Sequence, residues 1–152
     1  MIEMPEAVLE AIRLHGRESY PEECCGGLLG VLSNEAVSIV RAERIPNASR
    51  ETRERRFAVD PRDYLRLERR ADELGLSLAG FYHSHPDHPA APSEYDREHA
   101  FPFLHYVILS VERGRPREAT SWVLSEDRGV FEREELLLIA GADVPAHGAS
   151  GE

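Results

Sequence analysis

His83 and His85 stand one residue apart, and ten residues separate His85 from Asp96. Side chains alternate faces along a strand, so two histidines at that spacing point the same way. Two imidazoles on one face can grip one cation, and Asp96 supplies a third, anionic ligand. Two His and one carboxylate suit Zn²⁺, and a three-ligand site leaves a position for water. A lone His-x-His is weak, because paired histidines on a strand are often plain hydrogen-bonded polar residues. Here Pro86 follows the pair and Ser93 precedes Asp96 by three residues, which raises the metal reading well above that one. Ser93-x-x-Asp96 also reads as a capping box with Asp in place of Glu. The two roles are compatible, since a first helical turn orients a carboxylate firmly.

The histidine pair needs a strand beneath it, and the apolar run Leu76–Tyr82 reads as a buried one. Before it, Asp60-Pro61 marks a helix start that carries Tyr64, Leu67, Ala71 and Leu74 at spacings of three and four and stops at Gly75. After it come a proline-rich loop, His85 to Pro92, and a short helix from Ser93 toward Ala100. Upstream, Pro5 to Ser19 reads as an amphipathic helix with Val8, Leu9, Ile12 and Leu14 near helical spacing. Cys24 to Leu32 is a buried strand whose glycines, Gly26 and Gly27, suggest close backbone approach or a bulge. Ala36 to Ile45 is a second strand, with Val37, Ile39 and Arg41 on alternating positions. Ser49 to Arg56 is a polar, Arg-rich loop, and Arg56–Val59 a short strand. His105–Val111, Ala119–Leu124 and Gly129–Phe131 complete the strands. The order α-β-β-β-α-β-α-β-β-β makes an α/β fold: a single-domain mixed β-sheet sandwich with flanking helices. The domain is expected over residues 1–139, with a flexible C-terminal tail at 140–152.

At 152 residues the chain can bury a real core as one domain. Its net charge of −10 argues against a nucleic acid held by phosphate contacts. No apolar run reaches membrane-spanning length and the N-terminus does not look like a signal peptide, so the expected location is the cytoplasm, with no membrane partner. All 18 basic residues are arginine, which codon bias explains more simply than function. Cys24 and Cys25 are adjacent, which excludes a disulfide framework. On a strand they face opposite sides, at least one of them as plain core, and a zinc role is weakly supported without a Cys-x-x-Cys. Asp87 and His88 read as rim residues. His99 reads as an exposed or core histidine, with support of a ligand from behind as the alternative. His15, His105 and His147 carry no supporting pattern, and Trp122 reads as core.

The stretches Gly80-Phe81-Tyr82-His83-Ser84-His85-Pro86, Pro92-Ser93-Glu94-Tyr95-Asp96 and Glu23-Cys24-Cys25-Gly26-Gly27-Leu28-Leu29-Gly30 resemble the JAMM or MPN+ zinc metalloproteases. The resemblance spans roughly residues 5 to 125. It implies an MPN-like fold with a cytidine-deaminase-like layout. It also implies zinc held by His83, His85 and Asp96, Glu23 as general base and Ser93 as the family's serine. The chemistry agrees with that assignment. Zinc lowers the pKa of its bound water toward ~7. The base that takes the water proton must not itself be a ligand, so it comes from elsewhere in the chain. Glu23, at the entry of a buried strand, is favoured over its neighbour Glu22. Ser93 can donate to the oxygen that turns negative in the tetrahedral intermediate.

The resemblance further implies cleavage of the peptide or isopeptide bond after the Gly-Gly terminus of a ubiquitin-like protein. The short chain looks closer to the compact prokaryotic members that act on sulfur-carrier proteins. An extended Gly-Gly tail fits main-chain pairing along a strand edge. The oligomeric state stays open, a homodimer included. A non-catalytic MPN-type scaffold or protein-binding module is the alternative, although such members usually lose zinc ligands and every motif position is filled here. A zinc deaminase ranks lower, for want of His-x-Glu and Pro-Cys-x-x-Cys.

Overall fold

A computed structural model describes residues 1–49, 53, 56–125 and 129–140. The chain runs β1 (Ile2–Pro5), α1 (Glu6–Ser19), β2 (Cys25–Leu32), β3 (Val37–Ile45), α2 (Pro61–Leu74), β4 (Ser77–Pro86), α3 (Glu94–His99), β5 (His105–Glu112), β6 (Arg115–Leu124), β7 (Phe131–Glu134) and β8 (Leu136–Ile139). Among the described residues the strands form one eight-stranded mixed sheet in the order β7-β6-β5-β4-β2-β3-β1-β8. At its centre β4 pairs antiparallel with β2 and parallel with β5.

Alternation along these strands sorts the core onto two faces. Cys24, Leu28, Tyr82, Val107 and Leu109 pack with Val8, Leu9 and Ile12 of α1. Their sequence neighbours Cys25, Phe81 and Tyr106 pack with Leu67 of α2 on the other face. His83 and His85 share the parity of Phe81 and so belong to the α2 face. Asp60 caps α2 by accepting from the Arg62 N–H at 2.8 Å, and Gly75 closes it in the left-handed conformation at φ 70°. Gly26 and Gly27 serve close approach. A Cβ on Gly26 would run into the Tyr82 ring, and one on Gly27 would sit 2.7 Å from Leu67 Cδ1. The bulges of β2 lie further on, between Leu28 and Leu29 against β4 and between Leu29 and Gly30 against β3.

The structure departs from the sequence reading at several elements. Leu14 is 40% exposed, whereas His15 is buried. The helical stripe runs Val8, Ile12, His15, and Leu14 sits about 200° from Ile12. Arg41 is half-buried and ion-paired to Glu43, while Ala42 packs on the core, because the bulge opposite Leu29/Gly30 breaks the alternation. Arg56–Val59 forms no strand: Ala58 bonds to Asn47 and Ala48 instead of to a ladder. β1 and most of β7 and β8 have no period long enough to read. The expected last strand at Gly129–Phe131 begins at Phe131, and β6 begins at Arg115. Trp122 is half-buried, and its indole N–H is committed to Thr120 Oγ1 at 2.8 Å. The expected tail from residue 141 on, with His147, and most of the Arg-rich loop lie outside the described residues.

Candidate metal centre

β4 carries both histidines to its C-terminal end, where they are buried, His83 at 1% and His85 at 7% exposure. The antiparallel register sets Cys25 opposite His83. Carried two residues further, it sets Glu23 level with His85 and on the same face. Glu23 is buried, and its main chain is held by its N–H to the Arg53 carbonyl at 2.7 Å and by the Asn47 amide donating to its carbonyl at 3.0 Å. Glu22 is exposed.

α3 delivers the second carboxylate. Its capping box is complete: the Asp96 N–H donates to Ser93 Oγ at 3.0 Å, and the Ser93 N–H donates to Asp96 Oδ2 at 2.9 Å. The cap turns Asp96 inward. Its Oδ2 lies 3.2 Å from His83 Nε2 and 3.1 Å from His85 Nε2, and the two nitrogens are 3.2 Å apart. Tetrahedral zinc with bonds of ~2.0–2.1 Å separates its donor atoms by about 3.3 Å, so this near-equilateral triangle fits one such ion. A carboxylate oxygen of Glu23 and the two imidazole nitrogens also lie within 4.8 Å of one another. Two acids therefore flank the imidazole pair, with Asp96 the nearer.

The surroundings prepare these donors. The Pro89 carbonyl lies 2.9 Å from His85 Nδ1. A carbonyl only accepts, so Nδ1 carries a proton and Nε2 is the nitrogen turned toward Asp96, where a cation would sit. Phe57 stacks on His83 with ring centres 4.3 Å apart. His83 Nδ1 and Glu23 Oε1 are buried without a hydrogen-bond partner. Burial pulls the His83 pKa down, and Asp96 pulls it back up by less. Burial also opposes charge on Asp96, but His83 together with hydrogen bonds from both imidazoles and Ser93 outweighs it, and its carboxyl sits well below the usual range. For Glu23 burial, then the charge of Asp96, push the carboxyl up to about 9.

All five candidate residues come together. Glu23, His85 and Ser93 line one open cleft of 430 Å³ with His88 and Tyr95. Ser93 is exposed there, and His88 stands on the rim. Asp87 is instead a loop clamp, accepting from Tyr20 Oη at 2.6 Å and from the Arg113 N–H at 2.8 Å. His99 stacks on Tyr95 and lines an adjoining apolar cleft with Phe57, Phe81 and Phe101. The Arg56 guanidinium lies over the Tyr95 ring, 4.8 Å from its centre. Cys24 and Cys25 are buried free thiols, and burial pushes both pKa values up, Cys24 to about 11. Sequence reasoning missed the Pro89 carbonyl and Phe57. Proline-rich loops and lone aromatics carry no signal for such contacts.

A family model described as prokaryotic homologs of the JAB domain matches residues 5–125. The desampylase of Haloferax volcanii is 33% identical over 124 residues, covering 78% of this chain and 86% of that protein. The CysO-cysteine peptidase of Mycobacterium tuberculosis is 29% identical over 117 residues, covering 76% of this chain and 77% of that protein. A solution structure from Desulfitobacterium hafniense superposes with a TM-score of 0.83 at 30% identity, over 97% of this chain and 99% of the other.

Proposed function

The chain belongs to the prokaryotic homologs of the JAB domain, and from that premise we propose a zinc-dependent peptidase that cuts after the Gly-Gly terminus of a ubiquitin-like or sulfur-carrier protein. The observation that carries this reading is the donor triangle with a buried, unpartnered carboxylate oxygen of Glu23 beside it. His83, His85 and Asp96 would hold the ion, because their three atoms stand 3.1–3.2 Å apart. Zn²⁺ bound there supplies a Lewis acid and a water acidified to near-neutral pKa.

The chain's own groups do the rest. Glu23 takes the proton of the attacking water at Oε1 and returns it to the leaving nitrogen. Its carboxyl, raised to about 9 by burial and by Asp96, comes down once positive charge is added beside Asp96. That brings it into the range where it can both take and give a proton near neutral pH. Ser93 Oγ already accepts the Asp96 N–H, which leaves its O–H free to donate to the oxygen that gains charge. Phe57–Val59 offers a docking edge. The N–H and C=O of Ala58 face Asn47 and Ala48, so the peptide groups of Phe57 and Val59 turn the opposite way and can pair with an extended tail. The relatives' names, desampylase and CysO-cysteine peptidase, support the peptidase reading. A non-catalytic scaffold accounts less well for Glu23, because a buried, unpaired carboxylate is costly without a use.

The test is incubation of the zinc-loaded protein with a carrier ending in Gly-Gly plus one further residue, followed by intact mass. Loss of the extra residue at the Gly-Gly boundary is expected. An uncut carrier alongside full zinc content would remove the peptidase reading.

A further inference from the structure

The loop after His85 is fastened at two points. At one, the Asp87 N–H donates to the Val111 carbonyl at 2.7 Å, and its carboxylate takes Tyr20 and Arg113. At the other, Thr120 of β6, only 2% exposed, donates its hydroxyl to the Ala90 carbonyl at 2.6 Å. Thr120 Oγ1 in turn accepts from Trp122 Nε1 at 2.8 Å. The direction of this relay follows from the groups, since an indole N–H only donates and a carbonyl only accepts. Register explains the reach: Thr120 lies opposite Ile108, and Ile108 opposite His83, so Thr120 stands on the imidazole face two strands away. The peptide it holds adjoins Pro89, whose carbonyl takes the Nδ1 proton of His85.

We infer that Thr120 is a positioning residue of the metal centre: through Ala90 it holds the Pro89 carbonyl in place, so that His85 keeps Nε2 turned toward His83 and Asp96. Trp122 completes the relay, and as the only tryptophan in the chain it reports on it optically. The inference rests on the metal reading and adds to it a residue outside the motif, on a strand that supplies no ligand. Partners that orient a ligating histidine are typically worth about 10–100-fold in metal affinity.

The experiment measures Zn²⁺ affinity of the metal-free protein by competition with a chromophoric chelator, for wild type, Thr120→Val and Thr120→Ser. Trp122 emission is followed through each titration, with a thermal melt as folding control. Thr120→Val keeps the shape and loses the hydroxyl, so zinc should bind about 10-fold more weakly or worse. Its emission response to zinc should shrink as well. Thr120→Ser should restore most of both. Wild-type affinity in Thr120→Val, or a serine variant as weak as the valine one, overturns the inference. Should Thr120→Val not fold, Trp122→Phe removes the donor at the head of the relay, and unchanged affinity there overturns it equally. Absence of zinc binding in the wild type would remove the metal reading itself, a result distinct from wild-type affinity retained in the valine variant.

Discussion

Glu23 and Asp96 are both buried carboxylates within reach of the same two imidazoles, yet their environments push them apart. Asp96 is held ionised by the imidazoles and the Ser93 N–H, whereas Glu23 is driven toward its protonated form. That separation suits the proposed division, in which Asp96 would ligate and Glu23 would carry a proton. Glu23→Gln should therefore keep zinc at wild-type stoichiometry while cleavage falls by about 10²–10⁴-fold. Metal analysis beside a cleavage assay checks it, and normal turnover would hand the base role to another group. His85→Ala or Asp96→Ala should lose metal and activity together, and full zinc in either would break the ligand assignment. His15 offers a test of stability instead. It is buried against Tyr82, with Nδ1 2.7 Å from the hydroxyl, and burial first, then Arg44, lowers its pKa to about 4. The unfolded chain binds a proton at His15 below ~6.5 that the native state refuses until near 4. Stability from this group is thus complete above pH 6.5 and falls as pH drops from 6.5 to 4, by ~3 kcal/mol at most. Denaturant unfolding of wild type and His15→Gln at pH 7 and pH 4.5 should show a smaller pH loss in the variant.

The helix α3 is six residues long, too short to hold itself, and its capping box is what aims Asp96. Ser93→Ala should cost about 1 kcal/mol of stability through the lost cap. It should also slow turnover by about 10²–10³-fold through the lost donor. Melts and kcat measured on the same preparation separate the two losses. α2 is fixed differently, through Leu67 seated over Gly27 and among Cys25 and Phe81. Leu67→Ala should destabilise by about 2–5 kcal/mol, read as a lower urea midpoint. α2 was legible in the sequence because Asp60, Pro61 and Gly75 are local signals and its apolar spacing is regular. The strand expected at Arg56–Val59 was not, because β propensity there is real but the ladder partner is missing, a fact no local pattern carries.

At the scale of the molecule the notable feature is how the two ends of the sheet are joined in sequence. β7 pairs with β6 at one end of the strand order and β8 with β1 at the other, and Glu135 alone separates β7 from β8 in sequence. One bent segment therefore joins both edges of the sheet, with the Ile2 N–H bonded to the Glu135 carbonyl at 3.0 Å. β7 and β8 thereby cover the edges that β6 and β1 would otherwise leave unpaired. Glu134 anchors the segment, accepting from Ser121 Oγ at 2.8 Å, contacting His105 Nδ1 at 2.6 Å and meeting the Met1 ammonium at 3.1 Å. Glu134→Ala should cost about 2 kcal/mol by leaving those donors unpaired, seen as a lower melting temperature with zinc affinity retained. The residue types and spacing of His83, His85, Ser93 and Asp96 by themselves pointed to the proposed metal chemistry, since alternation on a strand and capping of a helix are local rules. The level of Glu23 with His85, the Pro89 carbonyl behind His85, the reach of Thr120 and the edge pairing of β7 and β8 were decided only in the folded chain. Each depends on strand register or on a backbone group far away in sequence, and neither leaves a trace in residue type.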